Sequence, residues 1–256
     1  MKALFLFVAL TTYSYLAKAD CLEYDTRVIW PAGKVITNNT IIVINSSNED
    51  FLAKISGKNF IFLKQLKGNS KIFLEVVQIC DGGLNLKQVI LKPQSLLAEE
   101  TEYGLFYGNT DQKKTGLQTT SKKLPVQSWT VKKALNNMLP TWIKQPQVIR
   151  KYYAPAGCGP DVKVTFILQA SGGSPMLVKA IVKNKTTGNV KTCYLTYSYN
   201  LLELGHNMCW GEFKFDKENE LDKDQYDTTF WLIDESGNIS AASNSIAFVQ
   251  PNKLDQ

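Results

Sequence analysis

LAEETEYGLFYG, residues Leu97 to Gly108, sets three glutamates and a threonine ahead of a tyrosine and a strand-like run. LDKDQYDTTFWL, from Leu221 to Leu232, repeats the order: acids, a tyrosine, then alternating apolar residues. Closely spaced carboxylates on a turn repel one another and face water, so Glu99, Glu100 and Glu102 read as solvated turn residues rather than a paired-carboxylate site. What the two stretches share is a tyrosine at the start of a strand, Tyr103 in one and Tyr226 in the other.

Working outward, the chain reads as strands in both directions. TRVIWPAGK, TIIVINSS, FLAKIS, NFIFLKQL, SKIFLEVVQIC, LKQVILKPQ, TEYGLFYG and SWTVKK are separated by Asn, Gly, Ser and Asp turns. Short strands at such regular spacing predict a sandwich or barrel. ALNNMLPTWIKQPQ, residues 134–147, carries two prolines and no alternation, and reads as a linker. Beyond it, DVKVTFILQ and MLVKAIVKN alternate with period two, which means one buried and one wet face. KTCYLTYSYN places Cys193, Leu195, Tyr197 and Tyr199 on one face. MCWGEFKF does the same for Cys209, Phe213 and Phe215, and YDTTFWLID and NSIAFVQ close the unit. The expectation is an all-β chain of two sandwiches, residues 20–133 and 148–251, with 252–256 as a tail.

LAEETEY resembles the L-x-P-G-T-x-Y pattern of fibronectin type III and related immunoglobulin-like domains at Leu97, Thr101 and Tyr103, with Glu99 and Glu100 where proline and glycine are expected. LKPQSLLAEETEYGLFYG as a whole, and RVIWPAGKVITNNTIIVI before it, resemble bacterial Ig-like domains of the surface-layer type. LDKDQYDTTFWLIDESGNIS resembles the F–G hairpin of such modules through Asp234, Gly237, Asn238 and Ser240. The resemblance implies two tandem immunoglobulin-like antiparallel β-sandwiches, Tyr103 and Tyr226 as tyrosine corners, and an extracellular role in adhesion or ligand presentation. It lends no catalytic residues.

MKALFLFVALTTYSYLAKAD has the charged, apolar, small-x-small order of a signal peptide over residues 1–19, cut after Ala19. Its apolar run is too short to span a bilayer, and no later stretch reads as transmembrane. A lipid on Cys21 would require a small residue where Asp20 stands. Lys2 and Lys18 would leave with the peptide, so the net charge falls from +6 to +4. The remaining basic residues are scattered, which argues against nucleic acid.

An exported chain meets oxidising conditions, so its five cysteines are expected to pair, leaving one thiol over. Cys21 with Cys80 is the expected first pair. In the second half Cys193–Cys209 and Cys158–Cys209 both stand open. No pair has zinc or redox spacing.

The acid-rich run FDKENELDKDQYD offers Asp216, Glu218, Asp222 and Asp224 as weak calcium candidates, interrupted by Lys217 and Lys223 and lacking an EF-hand glycine. No other cofactor is expected. His206 is the single histidine, and no GxSxG elbow, HExxH or phosphate loop accompanies it, so an enzyme is not expected. Of the tryptophans, Trp210 has outward parity and Trp142 is expected to wedge between the domains. Sequons at Asn38, Asn45, Asn184 and Asn238 fall in turns or strand ends. The expected function is a secreted, periplasmic or cell-surface noncatalytic protein that binds a protein or glycan or serves a structural role. A carbohydrate-binding accessory protein or hydrolase is the alternative.

Overall fold

The structure, a computed structural model, describes residues 26–57, 59–108, 127–133, 139–157, 159–171, 175–218, 221 and 223–255. The signal-peptide reading and Cys21, Cys158 and Asp222 lie outside the described residues. The first half holds β1 (Arg27–Trp30), β2 (Val35–Ile36), β3 (Ile42–Ser46), α1 (Glu49–Ile55), β4 (Ile61–Gln65), β5 (Lys71–Asp81), β6 (Lys87–Pro93), β7 (Glu102–Tyr107) and β8 (Ser128–Val131). Their order in one sheet is β1-β3-β6-β5-β4-β7-β8-β2. The sheet folds over at β5, whose first residues pair with β4 and whose remainder pairs with β6. Setting β2 aside, the arms hold strands one, two, five and four against three, six and seven, the constant-type immunoglobulin partition. Ile42, Ile44, Leu63, Val89, Leu105 and Trp129 form part of the core that both arms share.

FLAKIS, expected as a strand, is the body of α1. Asn48 caps it by accepting the Phe51 N–H at 2.9 Å, and Glu49 and Asp50 occupy the first turn. Acids there suit the helix dipole, and Phe51 and Ile55, four apart, are its buried residues. The capping order N-E-D before F-L-A-K-I outweighs a short apolar run that periodicity alone cannot classify.

The second half holds β9 (Thr141–Ala154), β10 (Asp161–Ser171), β11 (Leu177–Asn184), β12 (Val190–Thr196), β13 (Leu201–His206), β14 (Gln225–Ile233) and β15 (Ile246–Val249). They form an antiparallel sandwich, β13-β10-β9 facing β12-β11-β14-β15. Val164, Phe166, Val178, Leu204, Phe230 and Leu232 fill it.

Four expectations change here. Residues 141–147 of the expected linker are the first half of β9, paired with β10 despite Pro146. As an edge strand, β9 tolerates a proline. LLELGH is β13, while MCWGEFKF is irregular, with an isolated bridge between Gly211 and Gly83 as its one ladder-type pairing among the described residues. Between β12 and β13 the chain reverses through Tyr199 and Asn200, both at positive φ, in a two-residue hairpin turn, so Tyr199 is exposed instead of sharing the core face of Cys193. The expected tail is a short 3-10 turn, Lys253–Asp255, that lies against β9.

A third apolar cluster joins the halves: Trp30, Val43, Cys80 and Ile90 from the first, Leu177, Tyr194 and Ile233 from the second. Burial on a second face explains why β3 and β6 read as unbroken apolar runs, IIVI and VIL, instead of alternating. No described helix is long and apolar enough to cross a membrane.

A candidate binding cleft between the two halves

Gln88 lies on β6 and is fully buried. Its amide meets Tyr194 of β12 as a second peptide group would. Nε2 donates to the Tyr194 carbonyl at 2.7 Å, and Oε1 accepts the Tyr194 N–H at 2.7 Å. Nε2 also donates to Asn45 Oδ1 at 3.0 Å, and Asn45 Nδ2 donates to Glu212 Oε1 at 3.1 Å. This chain of hydrogen bonds runs from the seam to the floor of a cleft of about 330 Å³. Arg27, Gln127, Thr196, Trp210 and Glu212 line the cleft together with Asn45. Burial pushes the Glu212 carboxyl above its ordinary range, against the hydrogen bonds of its own N–H and Asn45 and the charge of Arg27.

Trp210 also lines a second, more open hollow of about 510 Å³ with Tyr152, Asp161 and Met208. Its place is set by a tight turn. Asn207 Oδ1 accepts the N–H groups of Cys209 at 2.8 Å and Trp210 at 2.9 Å, and the Asn207 N–H donates to the Trp210 carbonyl. The next residue, Gly211, accepts the Gly83 N–H at 2.9 Å through its carbonyl, which ties the turn to the first half. A Cβ on Gly211 would stand 2.3 Å from His206 Cα, so this close approach requires glycine. The cleft thus offers an indole face, a guanidinium and a single carboxyl, and among its lining amides Asn45 is bonded to Glu212 and Gln88 and Gln127 Nε2 to the Pro31 carbonyl. Hydrolysis of a glycosidic bond uses a pair of carboxyls, and among the described lining residues Glu212 is alone.

The described calcium candidates are held by other protein groups. Asp216 receives Lys191 at 2.6 Å and the amide of Asn184 at 2.8 Å, and these contacts lower its pKa despite partial burial. Asp224 also receives Asn184 Nδ2, at 3.0 Å, and Glu218 is bound to His206. Among the described residues no group of three metal-ligating side chains stands together.

Tyr103 Oη accepts the Ala98 N–H at 3.2 Å, five residues upstream. Tyr226 Oη accepts the Asp216 N–H at 3.1 Å and an Asn184 amide hydrogen at 3.2 Å, so its reach back along the chain is longer. Asn184, the hub of this network, is buried with its amide committed, as is Asn45. Neither sequon presents an amide to solvent. Asn238 donates to Asp234 within its turn. Trp142 does not wedge between the halves: it packs against the second core and donates to the Ala241 carbonyl.

The cysteine expectation is corrected. Cys80 and Cys193 are both free and buried, so neither Cys21–Cys80 nor Cys193–Cys209 forms. Cys209 is disulfide-bonded to a partner outside the described residues. Cys193 does have the core-facing parity expected of it, but Cys209 lies on the irregular segment rather than on a facing strand. Burial pushes the Cys80 thiol up to about 11 and the Cys193 thiol well above its ordinary value, which makes both poor nucleophiles. Alkylation followed by peptide mapping is therefore expected to leave both unmodified in the folded chain and to modify both after unfolding. A single modified thiol in denaturant would contradict the structure.

Sequence reading missed Gln88, Asn45, Arg27 and Gln127. Gln88 stands beside Lys87 ahead of the apolar run of β6, where a polar residue reads as the wet end of a strand, so sequence carried no signal for the partners a buried amide must find.

No family model matches the chain, and no curated protein matches it. Among solved structures, the chain is similar to a pullulanase type I from Bacillus subtilis complexed with maltose, at 8% identity and a TM-score of 0.24. That match covers 88% of this chain and 24% of the pullulanase. The chain therefore spans about a quarter of that enzyme. It is also similar to a chain of a cytokine receptor complex, at 10% identity and a TM-score of 0.25, covering 90% of this chain and 97% of that one. Likenesses of this strength carry no argument about function.

Proposed function

We propose that the protein is an exported, noncatalytic binding protein of a cell surface or periplasm, and that it takes its ligand in the cleft around Trp210. The observation that supports this reading is the seam, in which the Gln88 amide is paired with the Tyr194 peptide. A seam of buried hydrogen bonds holds the halves at one angle, so that Arg27 and Asn45 from one meet Trp210 and Glu212 from the other. Ligand sites favour such junctions, and a preformed site lowers the ordering cost of binding. Membership among bacterial immunoglobulin-like or fibronectin-like modules is part of the proposal. Tyr103 and Tyr226 each stand second in the sixth strand of their half, not counting β2, where a tyrosine corner belongs.

A carbohydrate-binding accessory role is the second reading. A half-buried indole flanked by amides, a guanidinium and a carboxyl suits a neutral polyol, whose C–H face stacks while its hydroxyls hydrogen-bond. The test is retention by the immobilised chain of arrayed glycans and of surface proteins from the native source. Replacing Trp210 with alanine is expected to weaken capture roughly tenfold or more. The captured species, glycan or protein, separates the two readings. Capture unaffected by Trp210→Ala and Arg27→Ala would remove the cleft, and turnover of a polysaccharide would remove the noncatalytic assignment.

A further inference from the structure

His206 ends β13, its side chain 2% exposed. Both ring nitrogens face acceptors: Nδ1 lies 2.6 Å from the Asn207 carbonyl oxygen and Nε2 lies 2.6 Å from Glu218 Oε1. A neutral imidazole has one N–H and can donate to only one of these; an imidazolium donates to both. Burial opposes the charge, but the hydrogen bonds to Glu218 and the Asn207 carbonyl, with the Glu218 charge, raise the ring's pKa above its ordinary value.

The two acceptors bracket the segment that carries the cleft's residues. Asn207 opens the turn that places Trp210. Glu218 closes the segment, where its Oε1 also accepts the Phe215 N–H at 3.2 Å. One ring therefore ties residue 207 to residue 218, with Trp210 and Glu212 between them. From the first half, the Gly82–Gly83 turn packs against the segment and brings no ionisable side chain, and Asp81 beside it pairs with Lys87. On β10, Val162 stands opposite His206, and its neighbours Asp161 and Lys163 pair with each other at 3.2 Å. Within the segment, Glu212 is bound to Asn45, Asp216 to Lys191, and Lys214 reaches Glu218 at 3.9 Å and opposes the ring's charge. Among the described residues, Glu218 is the anion that meets the ring.

We propose that His206 is the positioning residue of the cleft: as an imidazolium it clamps the Trp210 segment, and on deprotonation it releases one end. Its functional consequence rests on the cleft being the binding site; the clamp itself rests on the two hydrogen bonds. The sign follows from linkage. A ring whose folded pKa is raised contributes fully below its unfolded value of about 6.5 and loses that contribution as pH rises through the higher folded value. Placement of Trp210 is therefore tight in mild acid and loosens in mild alkali.

A single histidine allows a direct test on the ligand-free full chain. Ring nitrogen resonances are expected to show both nitrogens protonated at pH 6 and a midpoint above 6.5. The Trp210 indole N–H signal, assigned by its loss in Trp210→Phe, is expected to move with that same midpoint. Glu218→Gln is expected to lower the midpoint by about one pH unit or more. His206→Gln is expected to abolish the pH step at the indole; if it does not fold, Glu218→Gln carries the test. A ring neutral at pH 6, an indole signal that ignores the ring's midpoint, or a midpoint unmoved by Glu218→Gln would each overturn the clamp. Those outcomes leave the cleft reading untouched, whereas full binding by Trp210→Ala would remove the cleft and leave the titration standing.

Discussion

Gly205→Ala is expected to destabilise the second half by about 3–5 kcal/mol, from backbone strain and overpacking together. Gly205 has φ +145°, and an added Cβ would stand 2.0 Å from the Val162 carbonyl oxygen and 2.9 Å from Lys163 Cα. Both obstacles are backbone, so neither can swing aside; β13 would have to leave β10. His206 is the next residue, and the Gly205 carbonyl accepts the Phe213 N–H at 3.3 Å, so the damage reaches the Trp210 segment. Gly188→Ala is the control. It also has positive φ, +81°, but nothing lies within 4 Å of its added Cβ. Conformation alone predicts a loss of about 1–2 kcal/mol there. Urea denaturation of the pair measures the difference, and equal losses would mean that close approach to β10 is not what requires glycine at 205.

Gln88→Leu is expected to cost about 3–5 kcal/mol although it roughly preserves side-chain volume. It strands the Tyr194 N–H, the Tyr194 carbonyl and Asn45 Oδ1 in a buried seam, at about 1–3 kcal/mol for each unsatisfied group. Among the described residues the apolar part of the seam is small, seven buried residues, so hydrogen bonding contributes much of what couples the halves. Calorimetry of the wild type is expected to show one transition and of Gln88→Leu two, because each half keeps its own core. Gln78→Ala, which removes only a 3.3 Å contact to the Tyr194 hydroxyl at the half-exposed edge, is expected to cost about 1 kcal/mol. A single, unshifted transition in Gln88→Leu would show that the amide pairing does not couple the halves.

The cleft itself was barely legible. Trp210 was readable as outward-facing from its parity, though the segment is not a strand. Glu212 alternates with Phe213 in that supposed strand and carries no signal of a site, and its partner Asn45 sits 167 residues away in sequence. Acids that looked like cation ligands are held by Lys191, Asn184 and His206, partners from other strands that spacing cannot reveal. FLAKIS failed as a strand because six residues cannot separate the two periods, and the cap at Asn48 decided the matter. The pairings expected of Cys80 and Cys193 failed because oxidising chemistry was assumed to outweigh burial, and both are placed by packing.

By itself the sequence determined the all-β class, most strand positions and the two tyrosines at strand starts. These follow from side-chain alternation and turn residues, which are local and act over a few neighbours. The tertiary structure alone decided that the halves share a buried seam, that Gln88 stands in for a peptide there, and that Trp210, Glu212, Asn45 and Arg27 meet. Those outcomes depend on which sheet face lies against which. The unbroken apolar runs of β3 and β6 show that a second face is buried, and only the assembled chain shows what covers it.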